Sequence, residues 1–203
     1  MARNRKSKRR QNPRTRILAL GLVGAGLLAI GLVVLIMLPK GAGANAGGQD
    51  SVNSASQLPS SIPMEVNFSA PSLELEDLNG EKVALADFEG QVVLLNNWAT
   101  WCPPCKAEMP TLQAYFEDHQ AQGFTIVAVE AGEPVSQVAA FVEEYGLTFN
   151  VFPDLGQRSI SAFRNMSLPN SFVIDRSGKV RLAWTGAISR EMLEKYVTPL
   201  MEE

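Results

Sequence analysis

Val92-Val93-Leu94-Leu95-Asn96-Asn97-Trp98-Ala99-Thr100-Trp101-Cys102-Pro103-Pro104-Cys105 is an apolar run that ends in a pair of cysteines. The run is apolar at nearly every position up to Asn96-Asn97, the pattern of a strand covered on both faces. A helical pattern follows from Lys106 to Gln122, closed by Gly123. Cys102 and Cys105 are the only two cysteines in the chain. They fall where a strand is expected to pass into a helix. A helix N-terminus carries unpaired backbone N–H groups and the positive end of the macrodipole. Both favour thiolate over thiol, so Cys102 is expected to be a nucleophile near neutral pH. Cys105, one turn further in, is expected to attack a mixed disulfide and release its partner.

Working outward, a folded region is expected over residues 65–203. Leu73, Leu75 and Leu78 before Asn79-Gly80 predict a short strand and a tight turn, with Lys82 to Phe88 returning as a second arm. Phe124 to Val129 reads as a second buried strand. Val135 to Tyr145 reads as an amphipathic helix closed by Gly146. A short strand at Phe149 to Phe152 and a helical turn at Ser159 to Phe163 follow. Ser171 to Ile174 and Val180 to Trp184 form a hairpin pattern through Asp175-Arg176-Ser177-Gly178, and Ser189 is a candidate N-cap for a last helix to about Val197. This order predicts an α/β fold with a mixed central sheet and helices on both faces.

Charge is divided unevenly. Eight basic and no acidic residues lie in the first sixteen positions, leaving ten basic against 21 acidic side chains from residue 17 onward. An acidic body argues against a nucleic-acid partner. Ile17 to Leu38 is apolar and uncharged, and as a helix spans about 33 Å, one bilayer core. Residues 17–38 are therefore expected to be a transmembrane anchor, with the basic tail 1–16 cytoplasmic and the body exported. A cleaved signal, with sites at Ala42-Gly43-Ala44 or Ala44-Asn45-Ala46, is the rival and exports the body equally. Residues 39–64, rich in Gly, Ala, Ser, Asn and Pro, read as a flexible tether.

The stretch from Val92 to Pro110, with Leu168-Pro169-Asn170-Ser171-Phe172-Val173-Ile174-Asp175 and Gly178-Lys179-Val180, resembles the thioredoxin superfamily. More narrowly it resembles the TlpA/ResA-like membrane-anchored thioredoxins. The resemblance implies a thioredoxin fold, an N-terminal β-hairpin, a central helix–strand insertion between Glu130 and Leu168, and thiol–disulfide exchange outside the cytoplasm. It implies that Pro169 is cis and faces the cysteines, with Leu168 offering backbone to an extended substrate. Trp101 is expected as an exposed wall of the substrate groove and Trp98 as core. Where thioredoxins carry a buried Asp, this chain has Asn96, which takes no proton. The resemblance suggests that Glu108, three residues after Cys105, replaces it as acid/base; the alternative is a solvated helix carboxylate. Asn97 and Asn170 depart from the pattern, standing where an aromatic and a threonine are usual.

Pro103 and Pro104 belong to the first helical turn, where a missing N–H does least harm. They also remove donors that would otherwise reach the Cys102 sulfur, which argues for a reductase rather than a strong oxidant. Pro110 inside the helix is expected to kink it. No metal is expected: Cys102, Cys105 and the lone His119, read as solvated, are too few for a closed zinc site. No cofactor is expected beyond the redox-active Cys102–Cys105 pair. The expected partners are exported proteins with disulfides, apocytochrome c among the candidates, and a transmembrane thiol donor of the CcdA/DsbD type. Two other readings are weighed. Peroxiredoxins carry Pro-x-x-x-Thr-x-x-Cys, and Ala99 stands at the threonine here. Copper-delivering factors of the same fold carry Cys-x-x-x-Cys and a later histidine.

Overall fold

A computed structural model describes residues 62–203. The expected tail 1–16, the anchor 17–38 and residues 39–61 of the tether lie outside the described residues. Among the described residues no helix is long and apolar enough to cross a membrane.

In chain order the elements are β1 (Met64–Ser69), β2 (Glu74–Glu76), β3 (Lys82–Ala84), β4 (Val92–Trp98), α1 (Pro103–His119), β5 (Phe124–Glu130), α2 (Val135–Tyr145), β6 (Asn150–Pro153), α3 (Arg158–Ala162), β7 (Asn170–Ile174), β8 (Lys179–Thr185), α4 (Arg190–Tyr196) and α5 (Thr198–Met201). Six strands form one mixed sheet in the order β1-β8-β7-β4-β5-β6. β4, β5 and β6 are parallel, and β7, β8 and β1 run antiparallel to their neighbours. β2 and β3 pair separately as the N-terminal hairpin. Parallel strands need their faces covered, and every residue of β4 and β5 is buried.

Residue alternation divides the core in two. Val92 and Leu94 face one side with Ile126 and Ala128, under Met109, Leu112 and Phe116 of α1, Phe141 of α2 and Leu193 of α4. Val93 and Leu95 face the other with Val127 and Val129, under Leu75, Leu85, Phe152 and Phe163. The expectation of helices on both faces is therefore corrected in part. α1, α2, α4 and α5 share one face, and the second face is covered by the β2–β3 hairpin, a 3-10 turn and the short α3.

Three further expectations change. Met64, assigned to the tether, begins a strand not anticipated at all. Its residues are almost all exposed, so it lacks the alternation that marks a half-buried strand. The second hairpin arm stops at Ala84, and Leu85–Phe88 coil into a 3-10 turn whose Asp87 carboxylate accepts from Ala84 N–H at 2.8 Å. The hairpin connection is also wider than a two-residue turn. Asp77 Oδ1 accepts from the N–H groups of Asn79 and Glu81, and Gly80 takes φ +84°.

The insertion between β5 and β7 packs onto the core through its aromatic side chains. Phe141 lies 4.7 Å from Trp98, ring centre to ring centre, and stacks on Tyr145 at 4.0 Å. Phe149 meets Phe116 edge to face. Phe141→Ala should therefore cost about 3–5 kcal/mol of folding stability. Urea unfolding of wild type and variant measures it, and a loss below about 1 kcal/mol would show that the insertion is not docked on the core.

Candidate active site

β4 delivers the site. After Trp98 the chain turns, with Cys102 N–H donating to Ala99 O at 3.2 Å, and α1 begins at Pro103. Cys102 is the N-cap in extended backbone conformation, and the two prolines occupy the first helical positions. Cys102 and Cys105 are joined as a disulfide. The one backbone N–H that reaches the Cys102 sulfur is that of Cys105, at 3.3 Å, because Pro103 and Pro104 have none to offer.

The pair is recessed. Cys102 is 3% exposed and Cys105 is fully buried, whereas Trp101 is 65% exposed and both prolines lie at the surface. Trp98, by contrast, is core. The sulfur expected to be the nucleophile is thus recessed in the disulfide form, with Trp101, Pro103 and Pro104 exposed around it in the chain. The Leu168–Pro169 bond is cis. β7 starts at Asn170 opposite Asn97, so Leu168-Pro169 runs beside the end of β4 from which the cysteine loop departs. Leu168 packs against the apolar cluster that contains both cysteines. Its backbone makes no hydrogen bond to another described residue.

Glu108 is not solvated; it is completely buried. Side chains of a helix lean toward its N-terminus, so the carboxyl one turn below Cys105 points back toward it. Glu108 Oε1 accepts from Asn96 Nδ2 and Oε2 from Ile188 N–H, each at 2.9 Å. Desolvation pushes its pKa from 4.5 up to about 7, against the opposing pull of those two donors. A carboxyl titrating near neutrality beside a dithiol can exchange protons with it.

His119 is corrected too. It is buried against Tyr115, ring centres 4.3 Å apart, with Glu194 at 3.7 Å. It sits at the opposite end of α1, about 20 Å along the axis from Cys105, and does not join the cysteines.

A second acidic group was missed by the sequence reading. Glu133 accepts from both Thr100 N–H (2.7 Å) and Thr100 Oγ1 (2.6 Å), gripping the loop two residues before Cys102. Gln137 Nε2 also donates to Glu133, and Glu133 N–H donates to Glu130 Oε2 at 2.8 Å. Glu130 is buried, and desolvation pushes it up to about 7. Glu133 is lowered, because the donors from Thr100 outweigh its own desolvation. The available signal was a charged residue closing the apolar run Phe124 to Val129, at the same sheet edge as the cysteines.

A recessed disulfide at a helix N-terminus, a cis-proline beside it and a buried carboxyl behind the second cysteine, on this sheet order, define a thioredoxin-fold thiol–disulfide oxidoreductase. The model of the AhpC/TSA family matches residues 66–183, and the chain belongs to that family. Among its relatives are proteins named thiol-disulfide oxidoreductase ResA. That of Geobacillus thermodenitrificans is 39% identical over 132 residues, covering 65% of this chain and 76% of the relative. That of Bacillus anthracis is 40% identical over 134 residues, covering 66% and 78%. Among solved structures, a thiol:disulfide interchange protein of the thioredoxin family from Chlorobium tepidum superposes with a TM-score of 0.61 at 27% identity, covering 68% of this chain and 99% of that one.

The raised pKa of Glu108 sets a sign for stability. Between 4.5 and about 7 the folded state holds a proton that the unfolded chain has lost. Stability must therefore fall as pH rises through that window and level off above it. The expected loss from this group is about 3 kcal/mol. Glu130 titrates in the same window and cancels when wild type is compared with Glu108→Gln. The stability difference between the two proteins should shift by that amount between about pH 4 and about pH 8 in denaturant unfolding. A pH-independent difference would contradict the burial.

Proposed function

We propose that the chain is held in the membrane by residues 17–38, with its folded body outside the cytoplasm, and that it reduces disulfides of exported proteins, apocytochrome c among them. The observation that carries the chemical part of this reading is the buried Glu108 beneath Cys105, hydrogen-bonded to Asn96. In the dithiol form, the Cys102 thiolate attacks one sulfur of a substrate disulfide. That S–S bond breaks, a mixed disulfide forms, and one substrate thiolate leaves. Cys105 then gives its proton to the Glu108 carboxylate and attacks the Cys102 sulfur. The second substrate thiolate leaves and is protonated, so two electrons and two protons pass to the substrate and Cys102–Cys105 closes.

The direction rests on the scarcity of donors. With a single N–H at the Cys102 sulfur, the thiolate gains little stabilisation, which favours a reducing couple. The compartment outside the cytoplasm is oxidising, so the dithiol must be regenerated by a transmembrane thiol donor of the CcdA/DsbD type. Trp101, Pro103, Pro104, Leu168 and Pro169 form the substrate-facing rim.

Cys105→Ser in the native cell should leave Cys102 joined to its substrate as a mixed disulfide, recovered from the membrane fraction and cleaved by dithiothreitol. Capture of cytosolic proteins only would overturn the location, and no capture at all would overturn the attack by Cys102. For the carboxyl, Glu108→Gln should slow resolution of the mixed disulfide about a hundredfold near neutral pH. It should also move the rate profile from about 7 toward the ordinary thiol value, about 8.5. An unchanged profile in stopped-flow exchange would remove Glu108 from the mechanism.

A further inference from the structure

Asn97 and Asn170, the two departures from the thioredoxin pattern, meet. They are directly opposed in the β4–β7 ladder and both are fully buried. Asn97 Nδ2 donates to Asn170 Oδ1 at 2.9 Å. Asn170 Nδ2 in turn donates to two carbonyls of the loop just before the cis bond, Ser167 O at 2.6 Å and Asn165 O at 3.2 Å. Asn97 Oδ1 accepts from Ser159 Oγ at 2.6 Å, so the chain of bonds starts on α3, within the insertion. The loop is braced again where Asn165 Nδ2 donates to Thr185 Oγ1 and Ser167 N–H to Asn165 Oδ1, each at 3.1 Å.

Two amides are costly to bury, and apolar residues would fill the same space between covered strands. What amides supply that apolar residues do not is direction: a fully bonded network admits one arrangement. The loop it fixes leads straight into Leu168-Pro169. It holds out Met166, 69% exposed, two residues before Leu168, and Trp101 next to Cys102 is exposed as well. Two large apolar side chains kept in water, one next to Cys102 in sequence and one just before the cis bond, fit an apolar partner better than a charged one.

We infer that Asn97 and Asn170 are positioning residues for substrate, holding Asn165–Pro169 as a preformed ledge for an extended polypeptide with apolar side chains beside its cysteine. Ser159 anchors the ledge to the insertion. This deepens the thiol–disulfide exchange reading above and rests on it. Neither asparagine touches the sulfurs, so the pair acts on binding and leaves the exchange step alone. A preformed ledge binds without first being ordered, and loosening it lowers affinity for anything that needs it.

The test uses the full reduced chain and three probes: a peptide disulfide with leucines flanking its cysteine, the same peptide with aspartates there, and the small linear disulfide of 2-mercaptoethanol. In the double variant Asn97→Leu/Asn170→Leu both partners of the central bond are lost together, which limits the damage to folding. Its KM for the leucine peptide should rise about tenfold while kcat stays within about twofold, and the preference for leucine over aspartate should collapse. Its rate with the disulfide of 2-mercaptoethanol, too small to need a ledge, should match wild type. Ser159→Ala, a milder cut at the outer bond, should raise the same KM about twofold to threefold and serves if the double variant does not fold. Unchanged KM and preference in a folded variant would overturn the inference. Equal losses with all three probes would do so as well, since they would mark a merely structural role. A wild-type chain inert toward all three would instead strike the exchange reading itself.

Discussion

β4 is hydrogen-bonded along both edges and buried on both faces, and the site inherits its order from that confinement. β5 pairs with it along one side and β7 along the other, over nearly its whole length. A strand so placed has no freedom to slip, because a shift of one residue would exchange its two apolar faces. The cysteine loop leaves the end of this strand, and the cis-proline segment enters beside the same end. The Cys102 sulfur and the Leu168-Pro169 backbone are therefore positioned by a single element.

The two consecutive asparagines at that end show how confinement is turned to use. Successive side chains of a strand point to opposite faces. Asn96 faces the helices and bonds Glu108 of α1 and Ser171 of β7. Asn97 faces the other layer and bonds Asn170 and Ser159 of α3. In the proposed reading, one amide serves the proton chemistry behind Cys105, and its neighbour serves the ledge beside Cys102. Both side chains are wholly enclosed, so each bond they make matters, and of their atoms only Asn96 Oδ1 is buried without a partner.

The parts of this arrangement that were legible in the sequence are those with a local cause. The apolar run of β4, the cysteine pair at the head of a helix and Gly146 in left-handed conformation at the end of α2 each follow from a few adjacent residues. The hairpin through Gly178 and the Ser189 cap belong to the same group. The cis bond at Pro169 and the exposure of Trp101 came through the resemblance. What escaped depends on contacts across the fold. β1 is an exposed edge strand whose only reason to be extended is β8. His119 has acidic and amide neighbours in sequence, and only Tyr115 one turn back and Glu194 on α4 explain its burial. The grip of Glu133 on Thr100 spans 33 positions. The coupling of Asn97 to Asn170 becomes visible only once the β4–β7 register is known.

Glu108 also shows why Asn96 is more than a silent replacement for an acid. Both carboxyl oxygens of Glu108 already accept hydrogen bonds, from Asn96 Nδ2 and Ile188 N–H. That arrangement suits the ionised form. A proton arriving from Cys105 adds a donor, and neither of those two partners can accept it. Asn96 Oδ1 is buried and has no partner. A half-turn of the amide exchanges its oxygen and nitrogen, bringing that acceptor to the protonated carboxyl at the cost of the Nδ2 bond to it. Ser171 Oγ, now bonded as an acceptor to Asn96 Nδ2, can turn its hydroxyl hydrogen onto the same oxygen. An aspartate here would carry its own charge into the pocket and push Glu108 still higher. In the proposed mechanism, rotation of Asn96 offers the protonated Glu108 an acceptor, at the cost of placing Nδ2 where Oδ1 now has no partner.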